Sequence, residues 1–162
     1  MLRIGDLAPD FSLPDDAGSL VRLADLLREG PVVLYFYPAD FTPVCTKEAC
    51  MFRDVHEDLV ARGIRVVGVS PQPAGTHARF RESHRLPFPL LSDAGKVTAR
   101  VYGAVGPLGL WVKRVSYLIG RDGKVLDAAS GDLLLGDHRE FVARVLERLG
   151  GTKGPASPGA PS

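Results

Sequence analysis

Apolar positions along this chain change period in a way that lays out its elements. Val32-Val33-Leu34-Tyr35-Phe36-Tyr37 is an unbroken apolar run, and Arg65-Val66-Val67-Gly68-Val69-Ser70 is nearly so. Runs of this kind belong to strands covered on both faces. Between them, from Pro43 to about Ala61, the pattern lengthens to a helical period, and Gly63 ends it. At about 100° per residue, Ala49, Phe52, His56, Leu59 and Val60 fall within roughly 60° of Cys45, so the inward stripe of this helix is expected to include Cys45. Cys50 falls about 140° away, off the stripe. Strand, helix and strand at this spacing predict a right-handed crossover and a parallel pair.

The remaining segments are read in the same way. Phe11-Ser12-Leu13 and Leu20-Val21-Arg22 flank Pro14-Asp15-Asp16-Ala17-Gly18, which predicts a small hairpin. Ala24 to Glu29 reads as a short helix closed by Gly30-Pro31, Ala74 to His84 as a third helix, and Ala94 to Tyr102 as another short one. Pro87 to Leu91 is short and extended, and the glycine-rich stretch Gly103 to Trp111 is expected to be a mobile loop. Arg114 to Ile119 and Lys124 to Ala128 are strands joined by the hairpin signal Arg121-Asp122-Gly123. The last helix is expected to start at Asp137, with Glu140 completing a capping box and Phe141, Val142, Val145, Leu146 and Leu149 on its buried face. This order predicts an α/β, thioredoxin-like fold: a central mixed sheet flanked by helices, with an N-terminal hairpin extension.

Both cysteines lie where the first buried strand hands over to the helix, in Tyr37-Pro38-Ala39-Asp40-Phe41-Thr42-Pro43-Val44-Cys45-Thr46-Lys47-Glu48-Ala49-Cys50. Thr42 reads as the N-cap and Pro43 as the first helical residue, where a missing N–H costs nothing. Cys45 is then the third helical residue, among the unpaired N–H groups that favour an anion. A helix end contributes roughly 0.3–2 kcal/mol, too little to ionise fully a thiol whose ordinary pKa is about 8.5, so a cationic partner is needed from elsewhere. In an intact helix the Cα atoms of Cys45 and Cys50 stand roughly 8–9 Å apart. A disulfide needs about 4.4–6.8 Å. A bond between the two therefore requires the first turns to unwind. The bland alternatives are a buried inert thiol at Cys45 and an incidental one at Cys50.

Pro38-x-x-x-Thr42-x-x-Cys45 resembles the active-site signature of the peroxiredoxins, and Cys50 five residues on resembles the bacterioferritin-comigratory, or Q-type, branch. Gly5-Asp6-x-Ala8-Pro9-Asp10-Phe11 is similar to the opening of that family, and Leu86 to Asp93 with Tyr102-Gly103 to its middle section, so the resemblance covers about residues 3–149. Departures lie at Pro71-Gln72, where relatives often carry a polar pair including Asp, and at Gly120, where an Asp is usual.

The resemblance implies a thiol peroxidase acting on hydrogen peroxide and small organic hydroperoxides. Cys45 would be the nucleophile that becomes a sulfenic acid, and Cys50 the resolving thiol that condenses with it. Thr42 would orient peroxide and thiolate, in addition to capping the helix, and Pro38 would shield the sulfur from water. Arg114, opening Arg114-Val115-Ser116-Tyr117-Leu118-Ile119, would supply the missing cation, with a surface arginine as the alternative. Glu48, about 60° from Cys45, would hold that arginine, or else is an ordinary first-turn carboxylate. The expected reductant is thioredoxin or a similar dithiol protein. No metal, haem or flavin is implied. Two other functions use the same thiol: a thioredoxin-like disulfide oxidoreductase, weakened by the absence of Cys-x-x-Cys, and a non-catalytic peroxide sensor.

Composition narrows the classes further. The chain has 162 residues, a net charge of +1 and 45% apolar residues, which predicts one domain over 1–149 and a disordered Gly/Pro/Ser-rich tail over 150–162. The absence of a basic block argues against nucleic acid and anionic membranes. No apolar run approaches the roughly 18 residues of a spanning helix, and the N-terminus lacks the apolar segment of a signal peptide. Cytoplasmic residence as a monomer or weak dimer is the resulting expectation. Two cysteines in a reducing compartment point to chemistry rather than a structural staple, and are too few for a structural zinc site. The four histidines, His56, His77, His84 and His138, show no pairing pattern, with His56 read as a core residue. Gly103-x-x-Gly106-x-x-Gly109 does not follow a strand and open a helix as a dinucleotide loop must.

Overall fold

The computed structural model describes residues 1–131 and 136–150, without the side chains of 149 and 150. Its chain order is β1 (Ser12–Pro14), β2 (Leu20–Arg22), α1 (Leu23–Leu27), β3 (Val32–Phe36), α2 (Pro43–Ala61), β4 (Arg65–Ser70), α3 (Ala74–His84), β5 (Leu90–Ser92), α4 (Val97–Val101), β6 (Val115–Ile119), β7 (Val125–Ser130) and α5 (Gly136–Gly150). Five strands form one mixed sheet in the order β5-β4-β3-β6-β7, while β1 and β2 pair as a separate hairpin. β3 and β4 are parallel, as the crossover predicts, and β6 runs antiparallel on the other side of β3. This is a thioredoxin-like arrangement with an N-terminal hairpin.

The unbroken apolar run of β3 has a direct explanation. Val32, Leu34 and Phe36 face a cluster with Phe11, Leu23, Leu27, Tyr102 and Tyr117. Val33, Tyr35 and Tyr37 face the other, with Cys45, Phe52, Phe80, Phe88 and Phe141. Both sheet faces are therefore dry, and alternation has no solvent side on which to place polar residues. Gly68 on β4 makes room on the second face, because a Cβ there would meet the Tyr35 ring and Leu90 at 2.9 Å. Tyr35 in turn stacks on Phe52 of α2 with centroids 4.7 Å apart.

Several expectations shift. The buried residues of α2 are Cys45, Glu48, Ala49, Phe52 and Leu59. The stripe is thus rotated by about 20–40° toward Glu48, which leaves Val60 exposed and His56 only half-buried beside Phe88. His56 is not a core histidine; partial burial still lowers its pKa, against Glu57. α4 starts at Val97 rather than Ala94, because Lys96 adopts a left-handed conformation and the Asp93 carboxylate accepts from the N–H groups of Thr98 and Ala99. The stretch Gly103 to Trp111 is organised rather than bare loop. It holds a 3₁₀ turn at Pro107–Gly109, a bridge between Val105 and Val112, and a hydrogen bond from Gly106 N–H to Trp111 C=O at 2.9 Å. α5 begins at Gly136, so Asp137 sits inside its first turn instead of capping it. α5 extends through Gly150, one residue into the expected tail. The remainder of that tail and the side chain of Leu149 lie outside the described residues. Among those residues no helix is long and apolar enough to cross a membrane.

Candidate active site

At the end of β3 the Tyr37 N–H still donates to Val69 C=O at 3.0 Å, which anchors the start of the turn to the sheet. Asp40 and Phe41 then reverse the chain, with Phe41 at φ +65°. A left-handed conformation at a bulky residue costs on the order of 1–3 kcal/mol and needs outside support. Thr42 occupies the N-cap position of α2 with extended backbone, and Pro43 is the first helical residue. The expected cap bond is not made. The Thr42 hydroxyl donates instead to Ala39 C=O at 3.2 Å, closing the turn on itself. The first helical bond comes from the backbone, Thr46 N–H to Thr42 C=O at 2.9 Å. With no side chain capping it, the first turn keeps N–H groups to offer an anion.

Cys45 lies in that first turn, 1% exposed. Arg114 reaches it from the residue before β6, the strand next to β3, and on the same face of the sheet. The register that pairs Phe36 with Val115 places Arg114 just past the end of β3, level with the turn. Its Nη1 donates to Cys45 Sγ at 3.0 Å and to Glu48 Oε1 at 3.2 Å. Burial works against the guanidinium charge, but the hydrogen bond to Cys45 and the field of Glu48 outweigh it and hold the Arg114 pKa above its ordinary value. Burial pushes Glu48 the opposite way, from 4.5 to about 8, with Arg114 drawing it back. Of this pair, Arg114 keeps its charge throughout and Glu48 is the member whose protonation varies.

The structure therefore brings Cys45, Glu48 and Arg114 into direct contact. Thr42 and Pro38 lie on the adjoining turn, Pro38 half-buried and Thr42 exposed. Cys50 stands apart from Cys45; both thiols are free. Half-buried Cys50 lines a groove of about 630 Å³ between α2 and α5, with Lys47, Met51, Val55, Arg139 and Val142.

Two histidines are paired, contrary to the sequence reading. His138 of α5 is fully buried, with Nδ1 2.9 Å from Ser116 Oγ and 3.5 Å from Glu48 Oε2. It extends the Cys45–Arg114–Glu48 cluster to a third element. His77 of α3 is also buried, with Nδ1 2.6 Å from Asp40 Oδ2. Single residues on helices 37 positions and 90 positions from their partners leave no local sequence signal; Asp40 in the turn and Glu48 on the inward side of α2 were the only hints. Among the described residues no group of three or more His, Cys, Asp or Glu could hold a metal ion.

Comparison with known proteins gives the geometry a context. Residues 4–128 match the model of the AhpC/TSA family. Peroxiredoxin Q, a chloroplastic protein of Oryza sativa subsp. japonica, is 42% identical over 146 residues, covering 90% of this chain and 67% of that protein. The crystal structure of peroxidoxin BcpB from Mycobacterium tuberculosis superposes with a TM-score of 0.84 at 42% identity, over 91% of this chain and 98% of the other. Peroxiredoxin Q of Xanthomonas campestris gives a TM-score of 0.76 at 25% identity, over 85% and 90%.

Proposed function

The chain belongs to the AhpC/TSA family, the peroxiredoxins, and is a thiol-dependent peroxidase; from that premise we propose that Cys45 is its peroxide-reducing thiol and Cys50 the thiol that resolves it. The observation that carries this reading is the 3.0 Å hydrogen bond from Arg114 to a cysteine buried in the first turn of a helix.

In the first step the Cys45 thiolate attacks one peroxide oxygen. The S–O bond forms, the O–O bond breaks, and the electron pair leaves on the second oxygen, which takes a proton to become water or an alcohol. Arg114 stabilises the charge developing there, because a guanidinium presents further N–H donors beyond the one on sulfur. Thr42 orients the peroxide and Pro38 limits water access from the turn. Glu48 holds Arg114. In the second step Cys50 sulfur attacks the sulfenic sulfur, the S–S bond forms, and the hydroxyl leaves as water with the thiol proton. The helical separation forbids this bond until the first turns of α2 unwind. Glu48 lies between the two cysteines in sequence, so unwinding also withdraws it from Arg114. An external dithiol, thioredoxin or a similar protein, then exchanges with the disulfide and restores both thiols. The substrates are hydrogen peroxide and small organic hydroperoxides, and the enzyme works in the cytoplasm as a monomer or weak dimer.

The test is peroxide turnover coupled to thioredoxin and its reductase. Cys45→Ser abolishes it. Cys50→Ser permits one oxidation of Cys45 but forms no intramolecular disulfide and recycles poorly. Turnover by Cys45→Ser refutes the assignment. Stoichiometric oxidation of the parent without turnover identifies a sensor instead.

A further inference from the structure

A second buried polar cluster lies outside the machinery above. Tyr37, Asp40 and His77 meet beneath the turn that leads to Cys45. The Tyr37 hydroxyl donates to Asp40 Oδ1 at 2.6 Å. Burial and the neighbouring Tyr35 and Asp40 hold the phenol pKa well above its ordinary value, so it remains a donor. His77 Nε2 lies 3.0 Å from Leu91 C=O on β5. A carbonyl only accepts, so Nε2 carries a hydrogen. His77 Nδ1 lies 2.6 Å from Asp40 Oδ2. Two bare acceptors do not approach so closely, so a proton sits between them as well. The imidazole is thus hydrogen-bonded at both ends, to the turn on one side and to the sheet on the other.

The next residue of the turn is held from the same helix. Phe41, in its left-handed conformation, sets its ring edge-on to Phe80 with centroids 5.1 Å apart. His77 and Phe80 are three apart on α3 and so share a face. Both are 0% exposed. Consecutive residues of the turn, Asp40 and Phe41, are therefore pinned by two residues of one helix, and His77 carries the tie onward to β5. Strained residues at functional turns persist only where the surroundings over-determine them, and this turn is determined by α3.

We propose that His77 and Asp40 are positioning residues for the peroxide step: they fix the Pro38-to-Thr42 turn to α3 and the sheet by a route that bypasses α2, so the turn keeps its place beside Cys45 while α2 unwinds and rewinds. This rests on the peroxidase reading given above. α2 must move within each cycle, whereas Pro38 and Thr42 must meet the next peroxide in the same place. A misplacement of about 1 Å at a reacting centre costs up to about a hundredfold in rate.

The experiment uses the full chain with Cys50→Ser, so that only the Cys45 reaction is read, and follows its oxidation by hydrogen peroxide in stopped flow. The amide nitrogen of His77→Gln stands near the Nε2 position and can serve Leu91 but not Asp40. That of His77→Asn stands near Nδ1 and can serve Asp40 but not Leu91. We expect His77→Gln and Asp40→Ala to slow oxidation about ten- to a hundredfold, and His77→Asn to stay within about threefold of the parent. The ultraviolet absorbance of the Cys45 thiolate at the same pH should match the parent in all three, because Arg114 and Glu48 are untouched; a general loss of structure would remove that signal too. Variants as fast as a reactive parent overturn the inference alone. So does His77→Asn slowed as much as His77→Gln, or a loss of rate accompanied by loss of the thiolate signal. A parent inert to peroxide overturns the peroxidase reading, and this inference with it.

Discussion

Replacing Glu48 by Gln removes a titrating carboxyl from the buried cluster while keeping its shape. The carboxyl is fully buried, faces Arg114 before β6 and His138 on α5, and shares α2 with Cys45. Burial raises its folded pKa from 4.5 to about 8. The folded state therefore binds more protons than the unfolded chain between those limits. The associated stabilisation is fully present below 4.5 and is lost as pH rises through the folded value. An interval of about 3.5 pH units, at about 1.4 kcal/mol each, sets a ceiling of about 5 kcal/mol. An effective interior dielectric above that of a dry core lowers this ceiling, so the expected loss for the parent between about pH 5 and 8 is about 1–3 kcal/mol. Urea unfolding across that range, under reducing conditions, measures it for parent and Glu48→Gln. The parent should lose stability as pH rises and the variant should be flatter by this amount. A parent whose stability is level or rises, or a variant with the same slope, would refute a proton-holding carboxyl at this site.

The same ionisation should be visible in kinetics: above about pH 8 the peroxide rate per Cys45 thiolate falls in the parent, as the Glu48 carboxylate competes for Arg114, and stays level in Glu48→Gln. Arg114→Lys replaces the planar guanidinium, whose Nη1 bonds both sulfur and carboxyl, with a compact ammonium on a differently directed stem. Its kcat/KM for peroxide should fall about ten- to a hundredfold, matching the roughly 1.5–3 kcal/mol of a charge-assisted hydrogen bond, and an unchanged value would remove Arg114 from the mechanism. Phe52→Ala empties the space against Tyr35 and should cost about 3–5 kcal/mol in urea unfolding; less than about 1 kcal/mol would mean that the second core collapses around the gap. Gly106→Ala places a Cβ inside the Trp111 indole. The emission of this lone tryptophan should shift to the red in the variant, and an unmoved spectrum would refute the close packing of that turn.

The chain's own pattern determined its elements and the location of its chemistry. Apolar runs, unbroken at β3 and nearly so at β4, announced these strands because both faces of each are covered, and Thr42-Pro43 announced the start of α2 because proline suits only the first turn of a helix. The five-residue interval between Cys45 and Cys50 carries a constraint that holds for any α-helix, since rise and radius alone keep the two Cα atoms too far apart for a disulfide. Tertiary structure decided what each of these groups meets. Arg114 was one cation among several near the hairpin; pairing of β6 with β3 in a particular register sets it against Cys45. Glu48 could have been an exposed first-turn carboxylate; the rotation of the α2 stripe buried it. His77 and His138 looked unpaired because their partners, Asp40 and Glu48, are distant in sequence and become neighbours only when α3 and α5 pack onto the sheet. Thr42 kept its place but not its expected bond, because Ala39 C=O, brought close by the strained turn at Phe41, took its hydroxyl. Local pattern sets backbone periodicity, which depends on neighbours in sequence, whereas charge partners depend on neighbours in space.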